Sequence, residues 1–348
     1  MAAHYSAGET KVRPGIYFRE TNGSGTELIS ARNGVAAAAF KANWGPLGEV
    51  ITISSPSEIE EYYGDDSAEG SNVSILEKIF LGGASQIKAV RVGSGGTKAT
   101  ITLKDTAEST ASVVTLTAKY AGTRPLSVTI KDSLSVETQR ECIVLSGTKE
   151  LMKVSFAKGS GEVDALVSAI NGNETAVVTA QKVSAGNGTL AALTQTAFTT
   201  AGVSPAVTNT DYSDAFALLE ATQFNTICVD SDDSAVHALL HAFIVRAHDS
   251  GIMAMAVTGD PVSETYSDRK ENAAAFNSML HIHCVNGFEA DGEVYDGWLP
   301  PLSPVISLTS RPTTARPTRS SPALQRFMAL SPIPRLSSAC SPAVWCLR

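Results

Sequence analysis

Between residues 211 and 285 the apolar positions alternate between helical spacing and short β-branched runs. Tyr212, Phe216 and Leu219 fall at i, i+4, i+7, which predicts a helix behind an Asp211 cap. Residues 224–229 form an apolar run of strand length. Residues 234–250 place Val236, Leu239, Leu240, Phe243, Ile244 and Ala247 on one stripe and predict the most regular helix of the chain. A buried strand is expected at 252–257, a helix at 261–278 and a further strand at 279–285. Strands and helices taken in turn point to a layered α/β core.

The same alternation opens the chain's first third. Strands are expected at 34–44 and 49–54, joined by the turn Trp44-Gly45-Pro46-Leu47-Gly48. Ser55 caps a helix with Pro56 at its first position and Ile59, Tyr62 and Tyr63 on its apolar face. A second helix carries Ile75, Leu76, Ile79 and Phe80, stops at Gly82-Gly83 and leads into a strand at 86–92. Residues 97–205 differ in character, with short Thr-rich β runs at 99–103, 113–120, 126–131, 142–145 and 151–156. Thr alternating with Val and Leu suits strands that keep one wet face. One helix interrupts them at 161–170, with Val163, Leu166, Val167 and Ile170 on one side. The expected fold class is therefore α/β: a layered mixed sheet with helices, discontinuous in sequence, carrying an inserted β-rich barrel- or sandwich-like domain. Its divisions are an arm at 1–22, core at 23–96, the insertion at 97–205, core again at 206–298, and a tail at 299–348.

Ahead of the core the chain reads K-V-R-P-G-I-Y-F-R-E and, from Asn33, N-G-V-A-A-A-A-F-K-A-N-W-G-P-L-G-E-V-I-T-I-S-S. Val12, Arg13, Pro14, Gly15, Ile16, Tyr17, Phe18 and Arg19 make a short extended segment with no local strand to pair with. Pro14 lacks an N–H and Gly15 is loose, which suits an edge or arm rather than a central strand. Such an arm can add a strand to another molecule's sheet, with Ile16 and Phe18 facing one way and Tyr17 the other.

This block resembles the start of contractile phage tail sheath proteins, where an R-P-G-[IV]-Y arm precedes a G-V strand and a W-G-P-x-G-E turn. The segment F-N-T-I-C-V-D-S-D-D-S-A-V-H-A-L-L-H-A-F-I-V-R-A-H-D is similar to that family's strand–loop–helix, and L-T-A-K-Y-A-G-T-R-P-L-S-V-T-I to its protruding domain. The similarity covers most of 11–298, and its specificity lies in the order and spacing of the pieces. The resemblance implies a structural subunit of a contractile sheath, from a phage, a prophage or a phage-derived bacteriocin particle. Copies would form six-fold rings around a tail tube, linked by exchanged arms, and shorten without a nucleotide. It also implies tube and baseplate partners, assembly in the bacterial host cytoplasm and residence in the virion tail.

Charge and composition narrow the alternatives. With six arginines and no lysine or acid after residue 298, the total of −8 leaves −14 on residues 1–298. An acidic body is a poor nucleic-acid surface. The five cysteines include no C-x-x-C pair, so a disulfide framework or zinc knuckle is not expected, and a reducing compartment is. No apolar run is long enough to span a bilayer, and residues 1–11 lack the apolar stretch of a secretory signal. That counts against the main rival, an adhesin-like surface-binding protein built on the Thr-rich segment.

Candidate chemistry is sparse. His237 and His241 stand four apart on a helix, but the zincin pattern needs Glu where Ala238 stands. With His248 they share the face opposite the leucines, and an exposed polar face is the expectation; His281, His283 and Cys284 share a later strand. Asp230-Ser231-Asp232-Asp233 lacks the sixth-position glycine of a calcium loop, so Asp232 or Asp233 is expected to cap the next helix. Residues 93–98, G-S-G-G-T-K, fail the phosphate-loop spacing and read as a domain-boundary linker. No G-x-S-x-G elbow is present and no nucleophile–base set can be nominated by spacing, so neither an enzyme, a cofactor nor a metal is expected. An α/β enzyme built on 206–298 would need polar groups converging at strand ends, and spacing alone nominates none.

Residues 299–348 hold nine of the 15 prolines and no glycine, acid or lysine. That spacing of proline allows no long helix or central strand, which predicts disorder. Trp345, Phe327 and two cysteines in such a stretch are unusual, and an out-of-frame reading after Trp298 is the expectation. A chain with this tail is expected not to build a sheath by itself.

Overall fold

The computed structural model describes residues 3–4, 17–18, 34–65, 70–261, 263–285, 288–290 and 293–295. In chain order the first elements are strands β1 (Ala3–His4), β2 (Tyr17–Phe18), β3 (Val35–Phe40) and β4 (Val50–Ile53), helices α1 (Pro56–Tyr63) and α2 (Ser74–Leu81), and strand β5 (Gln86–Arg91). The middle segment holds β6 (Lys98–Lys104), β7 (Ser112–Ala121), β8 (Ser127–Asp132), β9 (Gln139–Ser146), β10 (Lys149–Ala157), α3 (Glu162–Asn171), β11 (Val178–Lys182) and β12 (Leu193–Ala197). The last part runs α4 (Asn209–Leu219), β13 (Thr226–Val229), α5 (Ser234–Asp249), β14 (Met255–Gly259), α6 (Tyr266–Phe276), β15 (His281–Cys284), β16 (Phe288–Ala290) and β17 (Glu293–Tyr295).

The central sheet has the order β15-β14-β13-β3-β5-β4, parallel except for β4, which pairs antiparallel with β5. The turn at residues 44–48 closes no hairpin, because β5 lies between β3 and β4. β3 reads V-A-A-A-A-F and is buried throughout. Its side chains alternate between two cores, as the two-residue period of a strand requires. Val35, Ala37 and Ala39 join the cluster that contains Phe216, Leu240 and Phe243 of α4 and α5. Ala36, Ala38 and Phe40 join the cluster that contains Ile59, Leu76 and Ile79 of α1 and α2. Alanine is a modest strand former, but its small side chain lets helices pack closely on both faces.

β3 pairs with β13, Ala36 opposite Thr226, so the sheet joins segments on either side of the β-rich stretch. That stretch folds as two sheets, β10-β9-β8-β12 and β11-β7-β6, over a core that includes Leu116, Val128, Ile130, Val144, Leu166 and Ile170. The sheets do not close into a barrel. β6 and the residue after it meet the segments flanking β12 through isolated bridges, Thr100 with Thr200 and Asp105 with Leu190.

Two helix starts differ from the periodicity reading. α4 is capped by Thr208, and Asp211 stands inside the first turn, its carboxylate accepting from the backbone N–H and the hydroxyl of Thr208 at 2.7 and 2.6 Å. α6 begins at Tyr266 behind Thr265, whose hydroxyl accepts from the Asp268 N–H at 3.3 Å. Of the arm residues, Tyr17 and Phe18 pair in parallel with Ala3 and His4, outside the central sheet. Val12, Arg13, Pro14, Gly15, Ile16 and Arg19 lie outside the described residues, as does the segment 299–348. Among the described residues no helix is long and apolar enough to cross a membrane.

Candidate functional sites at the neck and the sheet's carboxyl edge

Two places concentrate polar chemistry. The first is the neck where the chain leaves β5 and later returns to α4. Ser94 pairs with Ala206 and Thr97 with Val203, through reciprocal backbone hydrogen bonds of 2.8–3.1 Å. The glycines read as a linker are therefore part of a paired ladder. Gly93 and Gly96 adopt φ of +127° and +81° with the returning strand packed against them, which excludes a side chain.

Arg91, at the end of β5, is 1% exposed. Its Nε donates to the Ala42 carbonyl at 3.0 Å and its Nη1 to the Gly45 carbonyl at 2.7 Å. Burial pulls its pKa down to about 10. Burial also pushes up the pKa of the neighbouring Tyr63, whose hydroxyl donates to the Ala89 carbonyl at 3.3 Å. The turn that Arg91 holds carries Trp44 into the core of the inserted segment. There Tyr120 meets the indole edge-on at 5.4 Å and the Arg124 guanidinium lies 5.6 Å from its ring. One buried cation thus fastens a loop of the core sheet, and that loop plugs into the β-rich body.

The second place is the carboxyl edge of the parallel strands. Asp230, just past β13, is buried. Its Oδ2 accepts from the Lys41 N–H and from Asn72 Nδ2, both at 2.8 Å, and its Oδ1 accepts from the Tyr212 hydroxyl at 2.6 Å. Burial raises its pKa against the lowering pull of Lys41 and of these donors. The carboxylate ties the end of β3, the segment before α2 and helix α4 to one point. Nothing in the spacing of Asp230-Ser231-Asp232-Asp233 singled it out. Asp233 is the helix cap, accepting from the Ala235 N–H at 2.8 Å.

Beyond Asp230 the histidines converge. His237 and His248 are buried and His241 is half-buried, which overturns the expectation of an exposed polar face on α5. The physical reason is the helical pitch: at about 100° per residue the three histidines fall beside Leu240 and Ile244 on the covered side of α5, and the exposed face is the one with Ala238, Ala242 and Asp249. His283 Nε2 lies 2.9 Å from Asp260 Oδ2, and His283 Nδ1 lies 2.9 Å from Thr258 Oγ1. His281 Nε2 lies 2.6 Å from the same hydroxyl, and His281 Nδ1 lies 3.3 Å from His241 Nδ1. His237 Nε2 meets the Ser231 carbonyl at 2.7 Å.

The partners settle the tautomers. A carboxylate only accepts, so His283 donates from Nε2 and its Nδ1 accepts the Thr258 proton. His281 then donates from Nε2 to Thr258, and His241 donates from Nδ1 to His281. Burial depresses the pKa of His237 and of His241, and with the nearby histidines it takes that of His281 down to about 2. The rings are thereby kept neutral. Burial works to raise the Asp260 pKa, but the hydrogen bond donated by His283, with that from Asn272, outweighs it and the net shift is downward. The convergent polar set that spacing did not reveal is brought together by the parallel order of β13, β14 and β15. A shallow cleft in the inserted segment offers no comparable chemistry: Lys182 there is paired with Asp164 at 2.6 Å.

Residues 205–314 match the phage tail sheath protein central domain. The match begins where the neck returns to the core, takes in α4 to β15 with Asp230 and the histidine cluster, and continues past Trp298. The fold is similar to that of a sheath tail protein from Desulfitobacterium hafniense, at 23% identity and a TM-score of 0.55, over 85% of this chain and 63% of that one. It is likewise similar to a sheath tail protein from Listeria innocua, at 20% identity and a TM-score of 0.56, over 81% of this chain and 57% of that one. The chain thus spans about three fifths of the length of these structures. No curated protein sequence matches it.

Proposed function

We propose that this chain is a structural, non-enzymatic subunit of a contractile phage tail sheath, which packs with copies of itself around a tail tube and shortens to drive that tube through the target envelope. The observation that carries the reading is the sheath-domain match over 205–314, set within a fold like that of two sheath tail proteins. The divisions at 1–22, 23–96, 97–205, 206–298 and 299–348 are part of the proposal. So is the tethering of neighbours by residues 12–19 through strand addition. Each backbone hydrogen bond of such a tether contributes about 0.5–1.5 kcal/mol net. Several per subunit, repeated along a lattice, hold copies together while flatter contacts break and re-form. The neck fits a load-bearing part: a double crossing with a buried arginine and a tryptophan plug transmits force without slack. Tube and baseplate proteins are the partners, and the mature location is the virion tail after assembly in the host cytoplasm.

Immuno-electron microscopy of the native particle with an antibody to residues 97–205 tests this. Decoration at regular axial intervals along the tail, closing up after contraction, is expected. Label on the capsid or fibres, or an undecorated tail, would refute it.

A further inference from the structure

We propose that His237, Asp260 and His283 form a site for one divalent transition-metal ion of the zinc class, which staples the outermost strand of the central sheet to α5 and to the end of β14. This is independent of the sheath reading, since it rests on three side chains and their surroundings. One ligand atom from each residue lies within 4.8 Å of the others. The three come from different elements, α5, the loop after β14, and β15. They are 1%, 3% and 4% exposed. Two imidazoles and one carboxylate form a borderline nitrogen–oxygen set that suits zinc-class ions; calcium and magnesium prefer oxygen alone.

The outer contacts match those that orient metal-binding imidazoles. His237 meets the Ser231 carbonyl through Nε2 and must donate there, which leaves the lone pair on Nδ1. His283 meets the Thr258 hydroxyl through Nδ1, and a hydroxyl can accept as readily as it donates. Coordination through His283 Nε2 displaces the proton now shared with Asp260. The run Thr258–His281–His241 replaces it from the other side. The Thr258 proton passes to His283 Nδ1, the His281 Nε2 proton to Thr258, and the His241 Nδ1 proton to His281. His241, the half-buried member, takes a proton from solvent on Nε2. One proton leaves and one enters, so all three rings stay neutral with the ion in place.

Among the described residues β15 is the edge strand on this side of the sheet, paired within it to β14 alone. A metal bond from His283 to helix α5 would fix it where strand pairing covers one side only. The test uses the full chain stripped with a chelator, then titrated with Co²⁺ and back-titrated with Zn²⁺. One cobalt per chain is expected, with visible d–d absorption that zinc abolishes at one equivalent. Asp260→Asn and His283→Gln should each weaken binding by about 100-fold or more, and Thr258→Val by about 10–100-fold. The proposal is overturned if the native chain gives no stoichiometric cobalt band, if the band survives both ligand variants, or if it shows thiolate charge transfer. If a variant fails to fold, the imidazole ¹⁵N shifts of the native chain decide. Zinc-induced shifts on His237 and His283 support the site, and shifts confined to other histidines overturn it.

Discussion

Substituting alanine for Gly122 would place a methyl carbon 1.8 Å from the Asn43 carbonyl oxygen and 2.7 Å from its carbon, where ordinary contact begins near 3.4 Å. Gly122 also has φ of +154°, a conformation that costs an L-residue about 1–3 kcal/mol. The Asn43 backbone would have to retreat by about 1.6 Å, the shortfall from ordinary contact. Asn43 stands between Ala42 and Gly45, the two carbonyl donees of Arg91, so a shift of that size breaks both hydrogen bonds. Bonds from a charged donor are worth about 1.5–3 kcal/mol each, more where the cation is left buried. The expected loss is therefore about 4–9 kcal/mol, a large part of the roughly 5–15 kcal/mol that holds a domain folded. Urea unfolding followed by tryptophan fluorescence and circular dichroism would measure it. Gly147→Ala is the matched control: its φ is +58° but no atom lies within 4 Å, so it bears the conformational cost alone. A Gly122→Ala loss below about 1 kcal/mol, or one equal to the control's, would refute the account of the neck.

Two further outcomes follow from single contacts. Asp233→Ala removes the α5 cap and should lower stability by about 1 kcal/mol, read as a drop in urea midpoint with the slope unchanged. Asp105 is held below the usual carboxylate range, first by the Ala111 N–H at 2.8 Å and, after the opposing effect of burial, by the Asn187 N–H at 3.0 Å. A depressed folded pKa gives stability that is present above the unfolded value and lost as pH falls through the folded one. The gap between the native chain and Asp105→Asn should accordingly be constant near neutrality and shrink below about pH 4, as read from denaturation midpoints across an acid series.

Helices and strands were largely legible from the chain itself, because their causes are local. The stripe Val236, Leu240, Phe243 and Ile244 repeats at the pitch of α5 and is buried as that pitch implies. The β-branched run of β4 and the Thr-rich alternation of β7 likewise follow from neighbours a few residues apart. The sheath resemblance belongs to this class as well, since order and spacing carry it, and the match over 205–314 agrees. What no local pattern held was the placing of residues far apart in the chain. Sheet order decided that β5 separates β3 from β4, and that Ala36 faces Thr226. Only the parallel stacking of β13, β14 and β15 turned His237, Asp260 and His283 into one cluster. Periodicity records which face of an element is apolar; which other element comes to lie against that face is settled by long-range pairing, and that pairing has no period to read.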